Sequence, residues 1–273
     1  GKIGYILSQC SDNLVISSFV SISAVGLYSN YTTLISSVSG FVTTFSSSVT
    51  ASMGNLIAKE KKEKVYEVYK KVDFINFWLY SFSSICLFCL IEPFIKIWLG
   101  EKYILSFPIL IVSVGTFYLK GINSSIDIVK NASGLYYPDR FIPIIEAIIN
   151  LVLSVILVNY YGLVGVLIGT AISFILCSFW IKPYIVYRDI FFLNFKKYIL
   201  WEGEKIITFI VMTIFIYLFQ SFICFDNLIL NFFVKLIFTM SISNIALVFR
   251  YYHTKEFNYI KDLINQICLK LKK

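Results

Sequence analysis

Five ionisable side chains lie inside long apolar stretches of this sequence: Asp12, Lys120, Asp127, Glu146 and Lys235. A charge at the centre of a membrane helix costs about 2.5–3.5 kcal/mol, so such a residue needs a compensating role, typically in binding an ion or a substrate. Lys120 is the deepest of the five. The simpler alternatives are hydration near a helix end for Asp127, the dipole of a helix N-terminus for Glu146, and a side chain that reaches the lipid headgroups for Lys235.

The rest of the sequence contains no pattern typical of catalysis. Most of the six cysteines fall in apolar stretches, and the one histidine, His253, lies in a basic tail. Cys86 and Cys89 form a C-x-x-C pair, but a redox or metal pair needs polar or accessible surroundings, which this apolar segment lacks. There is no glycine-rich phosphate loop, zinc-protease motif or serine-hydrolase motif. The sequence therefore predicts no catalytic residue, no metal site and no cofactor.

The composition is that of a membrane protein, with 58% hydrophobic and 15% charged residues and a mean hydropathy of +0.78. A helix needs about 20 apolar residues to cross a bilayer, and about eight stretches qualify. They are residues 3–22, 25–51, 72–91, 106–126, 142–159, 163–181, 206–225 and 228–249. Because these stretches are continuously apolar, helices are favoured over barrel strands. We predict an all-α polytopic membrane protein: a six-helix lobe plus two peripheral helices.

Positive charges are concentrated in alternate gaps between these stretches. One side has only Lys96 and Lys102. The other has Lys2, the cluster from Lys59 to Lys71, Lys130, Arg140, Lys182, Arg188, Lys196, Lys197, Lys205 and the tail from Arg250 to Lys273. Lysine and arginine accumulate on the cytoplasmic side, so this side is cytoplasmic. The net charge of +8 is then explained by topology and by contact with anionic lipids, and we expect no nucleic-acid partner.

The second apolar stretch and the charged segment after it each have a regular spacing of residues. Small residues recur every three or four positions, at Ser29, Thr33, Ser36, Gly40, Thr43, Ser47, Ala51 and Gly54. We call them the small-residue stripe; it predicts close packing of a neighbouring helix, with a wet cavity as the alternative. Residues 59–71, KEKKEKVYEVYKK, place Val65, Tyr66, Val68 and Tyr69 among charged residues, which predicts an amphipathic segment in the headgroup layer.

Two blocks of the sequence resemble a known family. They are SDNLVISSFVSISAVGLYSNYTTL (residues 11–34) with SVTASMGNLIAKE (48–60), and KNASGLYYPDRFIPIIEAIINLVLSVILVNYYGLVGVLIGTAISF (130–174) with FWIKPYIVYR (179–188). In order and spacing they resemble the second half of the bacterial repeat-unit flippases for O-antigen and capsule, members of the multidrug/oligosaccharidyl-lipid/polysaccharide superfamily. The resemblance covers helices seven to fourteen of that family. We therefore expect a fragment that lacks the first lobe, with residues 1–190 as the second lobe and 191–273 as two additional helices and a basic tail.

The resemblance implies a transporter, not an enzyme, in the bacterial cytoplasmic membrane. Such a protein moves an undecaprenyl-pyrophosphate-linked oligosaccharide between leaflets through a cavity between two lobes. The cavity must be polar and locally cationic, so we infer that Lys120 and Arg140 bind the substrate. Asp12 and Glu146 could bind a coupling proton or sodium ion. These residue roles follow from charge and position, because the resemblance itself assigns none.

Two other functions fit the same pattern. A drug or metabolite antiporter of the same superfamily would have the same architecture with a cavity for organic cations. A membrane-bound polysaccharide polymerase or ligase would need a large outer loop carrying basic residues, whereas the longest outer segment predicted here is about residues 92–105. The expected partners of the flippase are the lipid-linked oligosaccharide, membrane lipids and the missing N-terminal lobe.

Overall fold

The computed structural model describes residues 12–262, which are almost entirely helical and contain no β-strand. We number the helices α1 to α10, where α1 and α10 are the described helical segments 12–19 and 255–262. The others are α2 (Ile22–Lys59), α3 (Lys62–Trp98), α4 (Phe107–Ser133), α5 (Ile142–Tyr161), α6 (Leu163–Leu176), α7 (Ser178–Val186), α8 (Lys196–Ser221) and α9 (Leu228–Tyr251). A π-helical turn, Tyr187–Phe191, follows α7, and a 3₁₀ turn, Glu101–Tyr103, precedes α4.

Local signals explain several helix ends. The Ser21 side chain accepts a hydrogen bond from the backbone N–H of Ala24 and caps α2, and Asn227 caps α9 in the same way. Prolines in the first turns of α4 and α5 remove a donor that has no helical partner there. Gly134 ends α4 in the left-handed conformation, with φ of 67°. The breaks between apolar stretches are therefore encoded locally.

Helix α3 is the centre of the fold, because α2, α4, α8 and α9 all pack against it. Helix α5 packs mainly against α6, and α6 and α7 pack against α4. Helix α2 has 38 residues and is about 57 Å long, well beyond the roughly 30 Å of the hydrocarbon layer. We therefore expect it to extend past the bilayer at the basic end, where Lys59 lies.

Apolar clusters at the two ends of the bundle fix the helix directions. At one end, Met53, Tyr69, Ile126, Tyr187 and Tyr198 form a buried cluster, so α2, α4 and α7 end there and α3 and α8 begin there. At the other end, Ile16, Ile109, Val158, Leu163 and Leu167 pack together. An ion pair of 2.9 Å between Lys70 and Glu256 also brings α10 to the first end. The basic segment 59–71 and the described part of the tail thus share one end, as predicted.

Five helical segments in the described part of the chain are long and apolar enough to cross a membrane: Lys62–Trp98, Phe107–Ser133, Ile142–Tyr161, Leu163–Phe191 and Leu228–Tyr251. The other predicted spans correspond to α1, α2 and α8. Serine and threonine lower the hydropathy of α2, and charged residues occupy the first turns of α8. Helix α1 is described only from residue 12. The prediction of an all-α polytopic membrane protein is confirmed.

The structure corrects two boundaries of the predicted elements. Residues 62–71 do not form a separate surface segment but are the first turns of α3, where Val65 and Tyr69 are buried against Tyr187 and Phe191. The sixth span does not end at residue 181 but continues to Phe191, with a break at Cys177. Lys182 does not end the helix because its ammonium group pairs with Asp127 at 3.0 Å.

Helices α8 and α9 contact the rest of the chain chiefly through α3. Phe215 and Phe233 are exposed, as expected for lipid contact, and Phe232 is half-buried. Phe209 differs, because it is buried and stacks on Tyr118 of α4 with ring centroids 3.6 Å apart. Helix α8 is therefore not lipid-facing all round, since one of its faces belongs to the core.

We predict that a cysteine at position 102 reacts with a membrane-impermeant thiol reagent added to intact cells, and that one at position 62 does not. The two positions lie at opposite ends of α3, and Lys62 lies at the basic end. Lys102→Cys and Lys62→Cys would be tested in a variant without the native cysteines, with labelling of broken cells as the control. Labelling of Lys62→Cys in intact cells would refute the orientation.

Candidate functional site

The candidate site begins with the close contact between α5 and α6. Gly165 and Gly169 of α6 form a G-x-x-x-G pattern, which allows two helix backbones to approach in a membrane. A Cβ on Gly169 would lie 2.8 Å from the backbone nitrogen of Ser154 on α5. Only glycine fits this contact, and the contact places polar side chains of α5 and α6 side by side.

Asp12 of α1 completes a hydrogen-bonded network with these two helices. Its Oδ2 accepts a hydrogen bond of 2.9 Å from Thr170 Oγ1, and its Oδ1 accepts one of 3.2 Å from Asn150 Nδ2. Ser154 Oγ donates to Asn150 Oδ1 at 2.9 Å. Asn150 and Ser154 are fully buried, whereas Asp12 is half-buried. Three helices thus contribute to one polar network.

The network is rich in oxygen atoms that can coordinate a cation. Besides the Asp12 carboxylate, Thr170 Oγ1 and Ser154 Oγ both lie within 3.3 Å of the Val166 carbonyl oxygen. Carboxylate, hydroxyl, amide and carbonyl oxygens are ligands of hard cations. Within residues 12–262 there is no group of three or more His, Cys, Asp and Glu residues that could hold a metal ion. With a single carboxylate, the Asp12 network suits a monovalent cation or a proton.

Lys120 of α4 lies beside this network and has no ion-pair partner in the described part of the chain. Its charge interacts at longer range with Glu146 and Asp12, and its Nζ is 5.8 Å from the centroid of the Phe174 ring. The side chain is exposed, and Asp12 of α1, Glu146 of α5 and Lys182 of α7 lie close enough to interact with its charge. We call Asp12, Lys120, Glu146, Asn150 and Thr170 the polar groove.

From Lys120, polar pairs continue toward the basic end of the bundle. Glu146 accepts a short hydrogen bond from Ser178 at the start of α7. One turn further, Lys182 pairs with Asp127 of α4, which lies two turns beyond Lys120. The pairing explains why both charges are tolerated. Glu146 is thus held by a side-chain hydrogen bond from another helix, and its position near a helix N-terminus is not its only compensation.

Arg140 is not part of the polar groove. It lies in the loop between α4 and α5, exposed, with its guanidinium group 4.3 Å from the centroid of the Tyr137 ring. The adjacent Asp139 forms an ion pair with Lys130 near the end of α4. Because Lys120 precedes Lys130 by ten residues, Arg140 lies about 15 Å away from Lys120 along the helix axis. Of the four predicted site residues, the structure brings together Asp12, Lys120 and Glu146, and places Arg140 at the basic end of the bundle.

Three residues of the network were not anticipated from the sequence: Asn150, Ser154 and Thr170. Two signals point to them. Asn150 and Ser154 follow Glu146 at intervals of four in a helix that is otherwise apolar, so all three lie on one face. The G-x-x-x-G pattern of α6 lies just before Thr170. Lys235, also considered from the sequence, is half-buried on α9, away from the polar groove, and lies near Cys89.

The small-residue stripe of α2 packs against almost nothing in the described chain. Seven of its members are exposed, and only Gly54 approaches a neighbour, the carbonyl oxygen of Ala132. The hydroxyl groups bond to their own helix instead, as in the 2.7 Å bond from Thr33 Oγ1 to the Ser29 carbonyl oxygen. The predicted close packing with a helix of this chain is therefore not formed, and the stripe is an open, weakly polar face.

Comparisons with known proteins agree with this architecture. Residues 1–108 match a protein family described as "Polysaccharide biosynthesis protein". No curated protein is similar enough to count as a match. Among solved structures, "Lipid II flippase MurJ, inward closed conformation" is similar with a TM-score of 0.57 and 18% sequence identity, over 92% of this chain and 52% of that chain. This chain therefore spans about half the length of that flippase. The structural similarity shows a shared fold and the family match covers residues 1–108; both agree with the resemblance noted in the sequence.

We predict that Gly169→Ala destabilises the protein and that Gly115→Ala does not. The added methyl group at position 169 meets the backbone of Ser154, and overpacking of this kind costs about 1–3 kcal/mol. At position 115 of α4 nothing lies within 4 Å, so alanine should be neutral or stabilising by up to about 1 kcal/mol. Thermal unfolding in detergent compares the two. Equal unfolding temperatures would show that α5 and α6 are not in backbone contact.

Proposed function

We propose that this chain is the second half of a transporter that moves undecaprenyl-pyrophosphate-linked oligosaccharide repeat units across the bacterial cytoplasmic membrane for surface polysaccharide synthesis. The similarity of its fold to a lipid II flippase and the family match over residues 1–108 support a transporter of a lipid-linked substrate. The observation that carries the proposal is the exposed Lys120 of the polar groove, which has no ion-pair partner among residues 12–262.

An unpaired lysine within a membrane helix requires an anionic partner, because the charge is costly in hydrocarbon. Structural lysines of this chain have such partners: Lys182 pairs with Asp127, and Lys130 with Asp139. Lys120 differs in being open to an external group. A pyrophosphate provides a high density of negative charge and several acceptor oxygens, and lysine binds such a group as a point charge. Lys120 is thus suited to hold the headgroup of the lipid-linked sugar.

Arg140 has a different position and so a different role in this proposal. It lies at the basic end beside Tyr137 and Phe141, whose rings are 4.3 and 4.6 Å from its guanidinium group. Arginine binds phosphate groups through paired N–H donors, and exposed aromatic rings provide flat surfaces for sugars. We assign Arg140 to the first contact with the pyrophosphate at the cytoplasmic entrance, before the substrate reaches Lys120.

The Asp12 network is proposed to bind the coupling ion. Asp12 has hydrogen bonds from α5 and α6 but no charged partner at ion-pair distance in the described chain, so a proton or a sodium ion could neutralise it. Moving one charge across about 100 mV provides about 2.3 kcal/mol, which can drive transport. Glu146, which lies between Lys120 and the cytoplasmic end, is the second proposed ion-coupling residue.

The remaining partner is a first lobe. In this proposal residues 1–190 form the second lobe, residues 191–273 provide α8, α9 and the basic tail, and the open face of α2 borders the cavity between the lobes. Exposed serines and threonines whose hydroxyl groups are satisfied by their own helix can contact water, sugar or a second helix at low cost. Anionic lipids would contact the basic end.

Each of the two alternative functions requires a different feature of the chain. An antiporter for organic cations would place an exposed lysine beside a positively charged substrate, which is repulsive. The antiporter would be favoured if the intact protein exported a cationic dye and did not export lipid-linked sugars. A polymerase or ligase would need an outer loop with basic residues, and among the described residues the outer connection between α3 and α4 is only 99–106.

We predict that Lys120→Ala lowers export of lipid-linked repeat units at least tenfold in the intact protein, with an unchanged amount of protein in the membrane. Loss of one charge-assisted contact worth about 1.4 kcal/mol corresponds to a factor of ten. The measurement is surface polysaccharide together with the lipid-linked intermediates that accumulate on the cytoplasmic side. Lys120→Arg keeps the charge and should retain more activity than Lys120→Ala.

The matched control for this variant is Lys235→Ala. Lys235 is also an intramembrane lysine, but it lies on α9, away from the polar groove. Its replacement should leave export unchanged. Normal export by Lys120→Ala at normal protein level would remove Lys120 from the mechanism.

We predict that sodium ions raise the unfolding temperature of the protein at constant ionic strength, and that Asp12→Asn abolishes this effect. A ligand that binds only the folded state stabilises it by about 2.7 kcal/mol at a concentration of 100 times its Kd. Choline chloride replaces sodium chloride in the control samples, and Asp226→Asn, an exposed carboxylate, serves as the control variant. Stabilisation by acid alone, with no response to sodium, would indicate a proton. No response to either in the wild type would refute ion binding by Asp12.

A further inference from the structure

A second group of buried charges lies between α3 and α8, on elements that do not form the polar groove. Lys205 Nζ lies 2.7 Å from Asp73 Oδ2 and 2.6 Å from Glu202 Oε1. The three side chains are 2%, 0% and 3% exposed, respectively, so none of them reaches water. Two carboxyl groups therefore share one ammonium group in a buried site.

Asp73 is surrounded by hydrogen-bond donors, which contact both of its carboxyl oxygens. Its Oδ1 accepts a hydrogen bond of 2.6 Å from Ser125 Oγ, and its Oδ2 accepts one of 2.6 Å from Trp201 Nε1 in addition to the bond from Lys205. Asp73 and Lys205 together are neutral and require no third charge.

Glu202 is in the opposite situation. Its Oε1 accepts a bond from Lys205, but its Oε2 is buried and has no hydrogen-bond partner in the described structure. An ionised Glu202 would add a net negative charge to a buried site and leave one charged oxygen unsatisfied, which is strongly unfavourable. A neutral carboxylic acid removes the excess charge.

We infer that Glu202 binds a proton in the folded protein and that the Asp73–Lys205–Glu202 group is a proton-binding site at the contact between α3 and α8. The site lies about 9 Å from the start of α8 at the basic end, so the proton exchanges with the cytoplasmic side. Loss of the proton introduces an uncompensated charge where α8 packs on the core. The proton thus keeps α8 attached to α3. This inference does not rest on the proposed transport function.

The groups that face Glu202 come from every element packed around it. They are Tyr69 and Asp73 of α3, Tyr118 of α4, Tyr187 of the π-helical turn, and Tyr198 and Lys205 of α8. The tyrosines are neutral at physiological pH. The charge balance of the site is therefore decided by Asp73, Lys205 and Glu202 alone, and Glu202 is the group able to change it.

The inference is tested by infrared spectroscopy of the full-length protein in lipid nanodiscs at neutral pH. A protonated carboxylic acid has a C=O stretching band that is separate from the bands of carboxylates, and we expect Glu202→Gln to remove one such band. Glu204→Gln is the matched control, because Glu204 is exposed on the same helix and pairs with Arg250, and it should remove none. A spectrum in which Glu202→Gln removes no band would overturn the proposal.

A second variant and a second measurement guard against a misfolded Glu202→Gln. In Asp73→Asn, Lys205 has only Glu202 as its counter-charge, so Glu202 should ionise and the same band should disappear although the residue is present. Thermal unfolding supplies the other test. The wild type should lose stability as the pH rises and the proton leaves, whereas Glu202→Gln should be insensitive over the same range. A wild type and a variant with the same pH dependence would count against a proton on Glu202.

Discussion

A polar group inside a bilayer has to find its partner within the protein, and most of this structure follows from that constraint. The hydroxyl groups of α2 bond to carbonyl oxygens of their own helix. Asp73 of α3 accepts hydrogen bonds from two neighbouring helices, α4 and α8. Asn76 donates to the carbonyl oxygen of Gly121, where the α3–α4 contact is so close that a Cβ would overlap the ring of Tyr80. In this fold, the contacts that pack the helices together therefore also provide the hydrogen bonds of the polar side chains.

The two charged sites of the chain solve this problem in opposite ways. At the α3–α8 contact, Lys205 is enclosed with two carboxyl groups, so the site needs no external partner other than the proton inferred on Glu202. In the polar groove, Lys120 stays exposed, and the nearby carboxyl groups are bonded to neutral side chains instead of to the lysine. Removing one partner from the enclosed Lys205 site would leave an unpaired buried charge. The exposed Lys120 can instead accept a partner from outside the chain. On the proposed function, this difference separates a site that holds helices together from one that binds a substrate.

The sequence was sufficient for the helices and for the shared end of the basic segments, because long apolar stretches and alternating basic gaps are local signals. The sequence was not sufficient to predict which side chains pair between helices. Lys205 was counted among the cytoplasmic charges, yet it is buried, since its partner Asp73 lies 132 positions earlier in the chain. Asn150 and Thr170 were missed although the spacing from Glu146 and the G-x-x-x-G pattern point to them, because these signals mark a helix face and not the side chains that meet there. The break between α6 and α7 at Cys177 was also not predictable, because no proline lies at that position.

The rigidity of the α5–α6 contact bears on how an ion could be coupled to movement. Gly165 and Gly169 fix the backbones of α5 and α6 against each other, so Asn150 and Thr170 keep their relative positions. Asp12 is supplied by α1, a separate helix joined to this pair by side-chain bonds and by apolar contacts at one end of the bundle. On the proposed function, a cation bound by Asp12 would hold α1 to the α5–α6 pair, and its loss would weaken that link. Lys120, on α4 beside the same network, would then respond to the position of α1 through its interaction with Asp12.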